Sequence, residues 1–74
     1  MSFNQNKFHI INELKQASDF KKDLALQRVV KVIEKTNNSK ELKKERSLIN
    51  RISIDGVLEW KNINKILQFI ENNI

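Results

Sequence analysis

TNNSKELKKERSLINRISIDGVLEW, residues 36–60, is the stretch whose reading decides the fold. Asp55-Gly56 can be a two-residue hairpin turn, which would make RISI and VLEW paired strands. In that register Ile54 faces Val57 and Ile52 faces Glu59 on one side, while Ser53 faces Leu58 and Arg51 faces Trp60 on the other. Neither face is apolar throughout. Read as helix, the same residues fall into order. Asn38 followed by Glu41 is an N-cap with its return partner, and Leu42, Leu48, Ile49 and Ile52 recur at helical spacing after it. Beyond Gly56, Trp60, Ile63, Ile66, Leu67, Ile70 and Ile74 recur at three and four, the most regular stripe in the chain. The spacing predicts helices over about 39–53 and 57–72, with Asp55 capping the second.

Working back from Thr36-Asn37-Asn38-Ser39, the clearest loop signal, Leu26, Val29, Val30 and Ile33 form the apolar face of a helix over about 19–35. Phe20 and Leu24 lie off that face. Upstream, Phe8, Ile11 and Leu14, with Ile10 and Ala17 beside them, predict a helix over about 3–17, capped by Ser2 with Gln5 as return partner. Ser18 and Asp19 favour a break between these two helices. Proline is absent and Gly56 is the single glycine, too few turn residues for a strand-rich domain. The expectation is all-α: one domain over residues 1–74, a compact bundle of four short helices, or three if the first two run on, with no sheet.

Seventy-four residues leave a thin core, with only about 60% of the unfolded chain's surface buried. Without cysteine there is no disulfide or thiolate metal site, and one histidine cannot build a zinc centre. Association with a second copy or another protein is the expected source of extra stability. MSFNQNKFHII has no basic segment leading into an apolar one, and no apolar run approaches the roughly 18 residues of a membrane span. These features predict a cytoplasmic protein with no membrane, metal or cofactor partner.

The net charge of +5 is unevenly distributed. Residues 21–51 hold ten basic groups against four acidic ones, a net +6. In the third helix Lys40, Lys44, Ser47 and Arg51 fall within about 60° of one another, with Lys43 beside them and Leu42, Ile49 and Ile52 opposite. In the second, Lys21, Arg28, Lys31 and Lys35 cluster within about 80°, clear of the apolar face. Such a flank fits phosphate backbones. It is also what a solvated helix face looks like in a chain where Asn, Lys and Ile, all with A/T-rich codons, supply 31 of 74 residues.

Other constellations fail on inspection. A helix-turn-helix centred on Gly56 would need apolar residues where Asn62 and Lys65 stand and would bury Arg51. A calcium loop through Ser53-Ile54-Asp55-Gly56 would open on Arg51 and close on Asn62, without the two terminal carboxylates. His9 points away from Phe8, Ile11 and Leu14. There is no nucleophile–base spacing, Walker sequence or glycine-rich phosphate loop. Glu45 lies at the centre of the Leu42, Ile49, Ile52 face, and a buried carboxylate needs a partner. It sits at an exposed helix end if packing begins only at Leu48, pairs with a neighbouring cation, or faces another chain. Leu58 and Phe69 share the back of the fourth helix.

Two functions follow as expectations, neither enzymatic. One is nucleic-acid binding, to DNA or RNA, with Arg28, Lys31, Lys35, Lys40, Lys43, Lys44, Arg46 and Arg51 on phosphates. The other is protein binding, to a partner or a second copy, through Phe20, Leu24, Glu45, Leu58 and Phe69.

Overall fold

Side-chain caps open three of the helices in this chain. In the computed structural model, which describes residues 2–17, 20–55 and 60–74 (without the side chains of Asp55 and Trp60), four α-helices and no strand are present among the described residues. They are α1 (Phe3–Lys15), α2 (Leu24–Lys35), α3 (Ser39–Asp55) and α4 (Trp60–Asn73). The expected capping box opens α1: Ser2 Oγ accepts from the Gln5 amide at 3.3 Å, and Gln5 Oε1 accepts from the Ser2 amide at 3.4 Å. Asn38 Oδ1 accepts from the Glu41 amide at 2.9 Å and starts α3. The return bond is displaced by one residue, because Glu41 Oε1 accepts from Asn37, both backbone and side chain, and not from Asn38.

The second helix starts later than the sequence suggests. Asp23, not Ser18 or Asp19, is its cap, with Oδ1 accepting from the Leu26 amide at 3.1 Å. Residues 20–22 form a turn held by Gln27, whose Nε2 donates to the carbonyls of Phe20 and Lys21. Lys21 therefore precedes α2, and helical spacing does not set its direction. Residues 51–55 are helical, which removes the hairpin reading. Asp55 ends α3, and Gly56 and Leu58 lie outside the described residues.

The helices form a ring: α1 packs on α2 and α4, and α3 packs on the same two. Asn6–Asn73 and Glu13–Lys65 contacts show α1 and α4 running in opposite directions. The radius of gyration, 11.1 Å, matches the about 11 Å of a close-packed chain of this length. The core is almost wholly aliphatic, and α2 contributes Leu26, Val29, Val30 and Ile33 as the sequence predicts.

Two faces are rotated from expectation. On α1, Leu14 is fully buried at the centre of the face, with Ile10 and Ile11 beside it. Phe8 lies about 120° from Leu14 around the helix, outside the sector that α2 and α4 cover, and is 67% exposed. On α4 the buried face is Asn62, Ile66, Phe69 and Ile70, turned by about 70° from the apolar stripe. Leu67 and Ile74 are exposed and Ile63 is half-buried. Contact with α1 causes the turn. Phe3 meets Phe69 at 6.1 Å between ring centroids with a 48° tilt, a favourable aromatic geometry. Phe69 is 6% exposed, so it belongs to the core and not to a protein-binding back face.

Candidate nucleic-acid interface

The basic helices owe their orientation to their apolar faces. With Val29 and Ile33 turned inward on α2, and Leu42 and Ile49 on α3, the opposite sectors face solvent. Arg28, Lys31 and Lys35 on α2 and Lys40, Lys43, Lys44, Arg46 and Arg51 on α3 are all exposed. None of the eight has an ion-pair or hydrogen-bond partner among the described residues.

Three lysines on α1 and α4 behave differently. Lys7 Nζ donates to the carbonyl of Thr36 at 2.8 Å and to that of Glu34 at 3.4 Å, closing the C-terminus of α2. Lys15 binds Glu34 at 3.3 Å, and Lys65 lies 3.8 Å from Glu13. Each of these three cations ties one helix to another. Surface pairs of this kind contribute little stability singly, but they leave those charges committed.

The two stripes have one spacing. Leu24, Arg28, Lys31 and Lys35 follow i, i+4, i+7, i+11 along α2, and Lys40, Lys44, Ser47 and Arg51 do the same along α3. Ile54 is the next step on the second stripe and is 81% exposed; Leu24 starts the first and is 72% exposed. Because the helices are joined by residues 36–38 and run in opposite directions, both aliphatic groups stand at the end remote from that loop. Ile54 is a functional candidate that the sequence reading passed over. Its signal was its position three residues after Arg51, within the charged sector.

Near the loop the stripes converge. Lys35, Thr36, Glu41, Lys44 and Glu45 line a recess of about 170 Å³ between α2 and α3. Glu41 is held by its bonds to Asn37, and Glu45 is half-buried with no ion pair among the described residues. Leu42 is fully buried and Leu48 is exposed, so α3 packs along its whole length and the fraying account of Glu45 does not hold. With two lysines facing two carboxylates, the recess is balanced. The surplus charge lies along Arg28, Lys31, Lys40, Lys43, Arg46 and Arg51.

Of the residues expected to take a protein partner, Leu24 is exposed, Glu45 and Phe20 are half-buried, and Phe69 is in the core. Phe20 packs against the core cluster from the turn before α2, whereas the sequence reading placed it off the apolar face of the helix itself. Leu58 lies outside the described residues. Among the described residues no group of His, Cys, Asp and Glu is arranged to hold a metal ion, and no helix is long and apolar enough to cross a membrane. No protein-family model, curated protein or solved structure matches this chain.

Proposed function

We propose that this chain is a small, non-enzymatic helical protein that binds nucleic acid through phosphate contacts from α2 and α3. One observation carries the reading: eight exposed cations on two adjacent helices have no partner among the described residues, while Lys7, Lys15 and Lys65 elsewhere are engaged. Unpaired like charges held on a rigid surface repel one another, and a polyanion relieves that repulsion while releasing its own counterions. Contacts of this sort position a protein on a backbone without reading sequence, so the expected role is accessory or regulatory, with weak base preference.

Fluorescence anisotropy of the full chain with labelled duplex and single-stranded oligonucleotides tests this. If six or more of the eight cations engage, affinity falls by about 10³-fold or more between about 50 and 200 mM salt. Absence of binding at the lower salt ends the reading.

A second reading rests on Leu24 and Ile54. Two large aliphatic side chains exposed at one end of the α2–α3 pair support a protein contact, and Arg28 and Arg51 on the same stripes favour an acidic partner over a second copy. Leu24→Ser with Ile54→Ser would abolish partner capture in this reading and leave salt-dependent oligonucleotide binding intact in the first.

A further inference from the structure

We infer that the nucleic acid is single-stranded, with an unpaired base stacked on Phe8. This rests on the phosphate-binding reading and goes beyond it, since the cations alone do not distinguish a strand from a duplex.

Phe8 is a large aromatic ring, 67% exposed, whereas Phe3 packs on Phe69 and Phe20 packs against the core. It stands in a broad, shallow hollow with Asn4, Gln5, His9 and Asn12. The residues lining the hollow include no carboxylate and no lysine, and its His9 is paired with Glu13 at 2.8 Å. Its amides offer both donors and acceptors, which suits the edges of a base and gives a phosphate little. Stacking on an aromatic side chain is tolerant of sequence because every base has a π-face.

Position links the hollow to the cations. Lys15 lies two turns after Phe8, about 20° away around α1, and its ammonium reaches Glu34 on α2 at 3.3 Å. Lys7, next to Phe8 in the chain, bonds the end of α2 through Thr36. The Phe8 edge of α1 therefore borders α2, where Lys31 and Lys35 flank Glu34 along the chain. Lys15 occupies the Glu34 carboxylate, so it does not leave an unpaired negative charge between the ring and the lysines. A strand whose phosphates follow the α2 stripe passes beside the ring. In a duplex the base faces are stacked internally and cannot reach it.

The test compares a labelled oligothymidylate or oligouridylate strand with a duplex of equal length, at one salt concentration, for wild type, Phe8→Ala and Phe8→Trp. Phe8→Ala is expected to weaken single-strand binding by at least about fivefold and to change duplex binding less than twofold. Phe8→Trp is expected to retain it. Deoxy and ribo strands weakened alike would assign the effect to the shared base stack. Circular dichroism melts check that the exposed substitution leaves the fold intact. If nucleic acid binds but Phe8→Ala weakens strand and duplex equally, or neither, this inference falls and the phosphate reading stands. If nothing binds, both fall. If Phe8→Ala alters sedimentation instead of affinity, the ring is a self-association contact and the inference is wrong.

Discussion

The α1–α4 seam and the α2–α3 flank are made from the same kinds of residue and use them in opposite ways. Along the seam the polar groups are spent on one another. Asn6 Nδ2 donates to Asn73 Oδ1 at 2.9 Å, Asn73 Nδ2 donates to the Phe69 carbonyl at 2.7 Å, and Glu13 meets both His9 and Lys65. On the flank, long cationic side chains project without partners among the described residues. The difference teaches where to look for function. A charge that holds helices together is explained by the fold, and a row of charges that holds nothing is not.

The comparison breaks most severely if the shared core fails. Leu42 is fully buried beneath the cationic face of α3. Leu42→Ala is expected to cost about 2–5 kcal/mol, comparable to the whole stability of a domain this small. Urea denaturation followed by circular dichroism would show a chain largely unfolded at room temperature.

A smaller effect, of opposite sign, is expected at Asn62. The residue is 1% exposed and its Nδ2 has no hydrogen-bond partner among the described residues. Leaving such a donor buried costs about 1–3 kcal/mol, so Asn62→Leu is expected to raise the denaturation midpoint. A lowered midpoint would mean that the amide contributes more than its burial costs.

The seam and flank are separated most directly by paired lysine substitutions. Lys7→Met removes the donor to the last carbonyls of α2 and is expected to cost about 1 kcal/mol. Lys40→Gln on the flank is expected to change stability by no more than about 0.5 kcal/mol while weakening oligonucleotide binding. Equal losses of stability at the two sites would erase the distinction between them.

Much of the fold was legible because its determinants are local. Ser2–Gln5 and Asn38–Glu41 announce helix starts within four residues, and Leu26, Val29, Val30 and Ile33 bury the face their spacing indicates. Facing was less legible where two neighbours compete for a helix. The apolar stripe of α4 predicts burial of Leu67 and Ile74, but the ring geometry centres the face on Ile66 and draws in Asn62 and Phe69. Phe8 is displaced for the same reason: its spacing to Ile11 and Leu14 is helical, yet α4 packs on the other side of Leu14 and α2 packs nearer Ile11, so Phe8 falls just beyond the covered sector. The cations were easier to place, since a charged group opposite Val29, Ile33, Leu42 and Ile49 has nowhere to point but outward. What the sequence did not disclose is which cations the fold engages. Lys7 and Lys15 look no different from Lys31 in the sequence, and only the approach of α1 to α2 commits them.

The most direct measurement is the slope of log affinity against log salt for an oligonucleotide duplex, compared between wild type and the Lys44→Ala, Arg51→Ala double variant. If those side chains meet phosphates, the slope is expected to flatten by close to two units, because each lost contact removes about 0.9, with no loss of helicity. Identical slopes for the two proteins would contradict the account, since they would show that the unpaired cations of α3 are not what the polyanion sees.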